Sequence, residues 1–336
     1  FSPQTLLTRL QSDLGTGSPL LATLTSGSRD LPPRQQTLRN TIAWSYSLLS
    51  DVEQKILRAA AVFRSGFGIE SLFSVAGVPE EEALESLASL VDKHLIRSMQ
   101  AEIPRFMMLE TIREFAREQG KLAKEWDGLT SALIIYYRNM ICAAASEIEN
   151  EDATAAMARI DLEHDNLIAA LDEALASLDA DLFSAGIDLM DGMEHYWFRR
   201  CYFSEAGKYI DRAMQLEAQR GQGNAQVSAM IYGLKGSLLW ARYDFADAVE
   251  AHKKSLSFFE QTGDEVRIGR AMINLAVNLD SIGEIEQGGV FYKKGLALSQ
   301  QAGDFWNEFR AANNMGTRYH HLLNENDRAL TCWQFA

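Results

Sequence analysis

Apolar residues recur at helical spacing along most of this chain and alternate over only one short stretch. From Thr37, Leu38, Ile42, Trp44, Leu48 and Leu49 mark one face of a helix. Ser50 followed by Glu53 has the form of a capping box, which predicts a second helix over residues 52–63. A glycine-bracketed stretch, Gly66-Phe67-Gly68-Ile69, leads into a short helix ending near Gly77, and Pro79 then opens a third helix that reaches about Asp92. Two short apolar runs, 94–99 and 105–109, flank Ala101-Glu102-Ile103-Pro104 and suit a small hairpin. A helix over 110–119 closes the unit. Upstream, residues 12–33 mix Ser, Thr, Gly and Pro and read as a connecting segment.

Three helices, a hairpin and a closing helix make the layout of a winged-helix domain over residues 34–120. Winged helices often read DNA, so the third helix was weighed for charge. Residues 79–92 carry Glu80, Glu81, Glu82, Glu85 and Asp92 with no Lys or Arg, and phosphates repel that face. The whole chain has a formal charge of -14, which points the same way. Nucleic acid is therefore not the expected partner. Residues 1–120 hold 12 basic and 14 acidic side chains, leaving 20 and 32 for 121–336, so the excess acid lies in the C-terminal part.

Residues 121–215 continue as amphipathic helices, a linker that includes a degenerate repeat ending around 202–214. Beyond them a period appears. Gly223, Gly263 and Gly303 stand forty apart, as do Gly236, Ala276 and Gly316, and Leu239, Leu279 and Tyr319. Phe245, Ala248 and Leu256 match Ile285, Gly288 and Leu296 at the same interval. A small residue at one fixed place lets two helices approach, and a large apolar one fills the space beside it. Residues 216–336 are thus expected to be helix pairs stacked into an α-solenoid, the last pair cut short. The fold class is mainly α, with a small β-hairpin in the winged-helix domain.

Cys142, Cys201 and Cys332 lie far apart in no metal-ligand spacing, which favours a reducing compartment and no zinc. No apolar run approaches the roughly 20 residues of a membrane helix, and no signal segment opens the chain. The expectation is a cytoplasmic protein, and a piece of a longer one.

The repeats resemble the tetratricopeptide family, with a period longer than its usual one. Residues Asp30-Leu31-Pro32-Pro33-Arg34-Gln35-Gln36-Thr37-Leu38, then Ala43-Trp44-Ser45-Tyr46, resemble the region after the nucleotide-binding core in bacterial signal-transduction ATPases with an NB-ARC module, the STAND class. Leu87-Ala88-Ser89-Leu90-Val91-Asp92-Lys93, Leu109-Glu110-Thr111-Ile112-Arg113-Glu114-Phe115-Ala116 and Tyr196-Trp197-Phe198-Arg199-Arg200 agree. The resemblance implies an ATPase core before Phe1, with residues 1–33 connecting to it, and ATP or ADP as the parent's ligand. This chain holds no Gly-x-x-x-x-Gly-Lys-Ser/Thr cradle, so no cofactor and no hydrolysis are expected of it. In relatives a Met-His-Asp motif senses ADP where the last strand meets the closing helix. Here that place reads Met108-Leu109-Glu110; leucine cannot donate to a phosphate, and Leu109 is expected in the core, with Glu110 as a helix N-terminal acid.

Matching the repeats to the family's inner groove singles out Trp240, Arg270, Asp280, Arg310, Asn313 and His320 as partner-binding candidates. Arg270 and Arg310, forty apart, would form a forked clamp for a carboxylate or phosphate; the alternative is arginines that are solvated or internally paired. His320 and His321 are helix neighbours about 100° apart and make a poor metal pair. Trp44, Trp197 and Trp240 are expected in the core. No catalytic residue stands out. The reading that results is a regulatory fragment whose repeats bind a protein, peptide or small-molecule inducer and control an ATP/ADP switch, while the winged helix docks on the nucleotide domain. Its rivals are a passive scaffold and DNA binding by the winged helix.

Overall fold

The computed structural model describes residues 38–99, 104–150, 153–221 and 223–335. The proposed connecting segment, the Asp30–Thr37 motif and the tip of the hairpin lie outside them. The chain is mainly α, with a small three-stranded sheet in its winged-helix part and an array of repeated helix pairs after it. It divides into two compact units: the described residues up to Met140 together with Asp161–Leu182, and Ile141–Ile160 together with the residues from Phe183 onward. Among the described residues no helix is long and apolar enough to cross a membrane.

The first unit opens with α1 (Leu38–Ser47) and α2 (Asp51–Ala60). The capping box forms: Glu53 N–H donates to Ser50 Oγ at 3.2 Å and Ser50 N–H to Glu53 Oε2 at 2.8 Å. β1 (Phe67–Gly68), α3 (Ile69–Ala76) and α4 (Glu80–Asp92) follow. Gly77 ends α3 at φ 56°, a left-handed turn that glycine adopts without steric cost. β2 (Arg97–Met99) and β3 (Arg105–Met107) form the expected hairpin, and β1 adds to it in the order β1-β3-β2, pairing Phe67 with Phe106. That third strand has no counterpart in the sequence reading, because two residues carry no alternation. α5 (Glu110–Leu122) runs three residues beyond the expected end. Its buried Gly120 leaves room for the Trp126 indole, 3.2 Å from where a Cβ would stand.

The core of this unit gathers Ile56, Leu57, Leu72, Leu87 and Leu90, all at most 2% exposed, with Phe63 stacked on Phe67. Two expectations fail at its margin. Trp44 is 46% exposed and Leu109 is 37% exposed. Leu109 is the N-cap of α5 and stands outside the helix's first turn, so its side chain does not follow the buried stripe formed by Ile112, Phe115 and Ala116.

α6 (Trp126–Asn150) and α7 (Ala153–Ala176) each contribute residues to both units. Within the first unit, α7 holds the loop before β1 through Asn166, which is fully buried. Asn166 Oδ1 accepts from the N–H groups of Arg64 (3.0 Å) and Ser65 (3.1 Å), and Nδ2 donates to Gly66 O and Glu163 Oε2, both at 2.9 Å. Glu163 also pairs with the buried Arg105 of β3 and accepts from Tyr137 Oη at 2.6 Å. Burial first, and then the Glu163 charge, push the Tyr137 phenol far up.

The second unit contains four helix pairs: α8 (Ala180–Arg199) with α9 (Phe203–Gln219), α10 (Ala225–Ala241) with α11 (Phe245–Thr262), α12 (Glu265–Ser281) with α13 (Ile285–Ala302), and α14 (Phe305–His321) with α15 (Asn326–Phe335). The forty-residue period reappears in the punctuation. Asn224, Asp264 and Asp304 are side-chain N-caps of α10, α12 and α14, and Gly263 and Gly303 take left-handed φ just before two of them. Tyr243 and Gly283, also forty apart, turn the chain between the helices of a pair at φ 67° and 86°. The small residue of each repeat faces a ring of the partner helix. A Cβ on Gly236 would meet His252 at 2.6 Å and one on Gly316 would meet Trp333 at 2.4 Å, while Ala276 packs in one buried cluster with Tyr292. His252, Tyr292 and Trp333 thus occupy one structural position.

Candidate functional site

Because the three N-caps are forty apart, the first helices of successive pairs begin in the same phase, and residues forty apart come to matching heights. Arg270 and Asn274 on α12 therefore repeat as Arg310 and Asn314 on α14, and the i, i+4 spacing puts each pair on one face. These four residues border a hollow of about 320 Å³. Glu194, His195 and Phe198 of α8, Ser237 and Trp240 of α10, His252 of α11 and Val277 and Asn278 of α12 complete its wall.

The two arginines do share this hollow, but neither is merely solvated. Arg270 Nη2 donates to Glu194 Oε2 at 3.0 Å, and its Nη1 lies 3.8 Å from Asp191. Arg310 is held by neutral amide oxygens, Asn274 Oδ1 at 2.8 Å and Asn307 Oδ1 at 2.9 Å. These bonds fix both guanidinium groups in place before any ligand arrives.

Two polar atoms in the wall are buried without a hydrogen-bond partner: His252 Nδ1 and Asn278 Oδ1. His252 is 1% exposed. Burial, and then the charge of Arg310, hold its imidazole down to about 4, so it is neutral near pH 7. Asn278 is 2% exposed and its Nδ2 donates to the carbonyl of Asn274 at 2.8 Å, which fixes Oδ1 as the atom left over.

The other groove candidates go elsewhere. Trp240 stands at the rim, 43% exposed and not in the core, whereas Trp197 is buried as expected. Asp280 is not a groove residue: it forms a nearly buried ion pair with Arg318 at 2.6 Å, in space left by Gly288 and Gly289. Asn313 is exposed and faces away from the hollow; Asn314, one position on, takes the place assigned to it, because the lining repeats at i+4 and not at i+3. His320 is also exposed, with Nδ1 2.7 Å from Asn326 Oδ1 and its ring against His321 and Trp333. His252, Asn274 and Asn278 escaped the sequence reading. His252 sits on a second helix, and its signal is the substitution of a titratable ring where the later repeats carry Tyr and Trp.

In the first unit Glu110 is engaged by Arg113, whose Nη1 also donates to the carbonyls of Phe63 (3.0 Å) and Arg64 (2.6 Å). Glu110 and Arg113 line a smaller hollow of about 140 Å³ with Arg117, Trp126 and Glu173. The exposed side of α4 presents Glu80, Glu81, Glu82 and Glu85. Among the described residues no group of three or more His, Cys, Asp or Glu is arranged to hold a metal.

Residues 49–121 match the family model of a winged helix-turn-helix domain. Proteins of Mycobacterium tuberculosis and Mycobacterium bovis provisionally named HTH-type transcriptional regulators are 25% identical over 296 residues, which is 84% of this chain and 32% of theirs. The chain thus spans about a third of the length of these relatives. An uncharacterized protein of Mycobacterium tuberculosis is 31% identical over 109 residues, 31% of this chain and 27% of its own. A crystal structure of a signal transduction ATPase with numerous domains and a tetratricopeptide repeat sensor, from Pyrococcus horikoshii, aligns over 100% of this chain and 58% of its own at 16% identity. Its TM-score of 0.37 is too low for the likeness to carry weight.

Proposed function

We propose that this chain is the regulatory and sensing part of a STAND-type switch protein acting in transcription regulation. The observation that carries this reading is the succession, in one chain, of a winged-helix domain and capped helix pairs that enclose a polar hollow with preset arginines. The 25% identity to proteins named as transcriptional regulators supports it, as does the small share of their length that the chain accounts for. In this reading the nucleotide-binding core, with its ATP or ADP, belongs to the remainder of the parent protein, and the chain itself hydrolyses nothing. The winged helix docks on that core. An inducer in the repeats favours one nucleotide state only in so far as it binds the two states with different affinity.

The test is nucleotide exchange on the chain joined to its nucleotide-binding core, with and without residues 216–336. Faster exchange or hydrolysis after the deletion supports restraint by the repeats. Unchanged kinetics in a folded protein instead leave the repeats as a passive scaffold. A second reading, DNA binding by this winged helix, is favoured by the helix-turn-helix match and by the relatives' names. The four exposed glutamates of α4 oppose it, and fluorescence anisotropy with duplex DNA separates the two. A salt-dependent affinity for the chain is the signature of the DNA reading.

A further inference from the structure

The hollow in the repeats has unmet chemistry of its own. From its two orphaned atoms and its preset arginines, we infer that it is a binding site for a small hydroxylated organic anion. The inference deepens the sensor reading given above by naming the ligand's chemistry.

Charge sets the first requirement. The wall holds two arginines against one glutamate, a formal +1 with histidines counted as neutral, in a chain whose formal charge is -14. Such a cationic spot on an acidic protein favours an anion, and Arg310, fixed by two amide oxygens, offers the forked donor geometry that suits carboxylate or phosphate.

The orphaned atoms set the second requirement. Asn278 Oδ1 needs a donor. His252 is neutral, and its Nδ1 needs a donor or an acceptor according to its tautomer. A hydroxyl group both donates and accepts, so it serves either tautomer as well as the amide oxygen; a bare carboxylate offers nothing to Asn278. A buried polar atom left unpaired is expensive, and a native protein that retains two in one wall has a use for them.

Size sets the third. About 320 Å³ is the lower end of the range of roughly 300–1,000 Å³ for small-molecule sites, which suits a metabolite better than a folded peptide segment. Phe198, Val277 and Trp240 provide apolar wall for a carbon skeleton.

His252 also supplies the decisive variant. Its ring lies against Gly236 in the position that Tyr292 and Trp333 occupy in the next two repeats, so His252→Phe keeps a ring in that space and removes only the nitrogens. Calorimetric titration of the full 336-residue chain uses D-gluconate for the carboxylate source, glycerol 3-phosphate for the phosphate source, and glycerol as the neutral control. Saturable binding of at least one anion is expected, with a dissociation constant below about 1 mM, and none of glycerol. Affinity should fall at least about tenfold in His252→Phe at an unchanged melting temperature, and again in Arg310→Met. Whichever anion binds more tightly identifies the source. Failure of both anions to bind, or binding that His252→Phe leaves intact, overturns the inference. Neither result touches the sensor reading, which rests on nucleotide kinetics in the longer protein.

Discussion

Asn166 makes four hydrogen bonds from a fully buried side chain, and its replacement by leucine tests whether α7 is bolted to the winged helix through that one amide. Leucine has nearly the same volume, so the cavity term is small. Two of the four partners keep another bond after the change: Gly66 O still accepts from Arg105, and Glu163 Oε2 still accepts from Tyr137. The loss is therefore concentrated on the N–H groups of Arg64 and Ser65. An unsatisfied buried donor costs about 1–3 kcal/mol, and both of these are only partly buried, so Asn166→Leu should cost about 3 kcal/mol. For a unit of this size that lowers the melting temperature by roughly 6–12 °C. Circular dichroism measures the shift, and amide hydrogen exchange reads the two N–H groups directly. A loss below about 1 kcal/mol, with both amides still protected, would refute the bolt. Asn166→Asp adds a sign test. It keeps an acceptor for both amides but faces Glu163 with a second carboxylate, so its deficit should shrink as pH falls below about 4.

Three further outcomes follow from the same structure. Burial alone would raise the Glu53 carboxyl, but hydrogen bonds from Lys93, Ser89 and the Ser50 N–H outweigh it and hold the group at about 2, against an ordinary value of 4.5. Its folded value is depressed, so its contribution of about 2–3 kcal/mol is present above pH 4.5 and fades as pH falls towards 2; Glu53→Gln should remove that pH dependence in acid unfolding curves. Gly236→Ala should destabilise the repeats by about 1–3 kcal/mol through its clash with His252, and a second change, His252→Ala, should recover most of it in a double-mutant cycle. Asp280→Ala strands the buried Arg318 and should cost about 3–5 kcal/mol in urea unfolding, whereas Asp280→Leu with Arg318→Met should come close to wild type.

The legible parts of this fold were those written as local pattern. Ser50 with Glu53, Gly77, the hairpin runs and the forty-residue period each encode a structure within a few residues or one repeat. β1 was invisible because two residues cannot show a period, and its pairing with β3 reaches across nearly forty positions of chain. The site was half legible. Arg270 and Arg310 announced themselves by their spacing, and their convergence on one hollow depends only on helix phase. Asn313 and His320 were misplaced because one residue of slip on a helix turns a side chain by about 100°. Asp280 was misread because its partner, Arg318, lies 38 positions away on another repeat. The importance of Asn166 comes from a contact 100 residues distant, which no window along the sequence contains.

The caps at Asn224, Asp264 and Asp304 have one more consequence. Each pair carries its own start signal, so its helices owe little of their phase to neighbours, and such an array behaves as a nearly one-dimensional chain of separately stable links. Links of that kind fray from an end and melt gradually. The bond from Arg310 to Asn274 joins two of them across the hollow, and a molecule seated between α10, α12 and α14 would join three. Occupancy would then turn a graded array into a single cooperative block, transmitting its state along its length as stiffness, with no need for any helix to move.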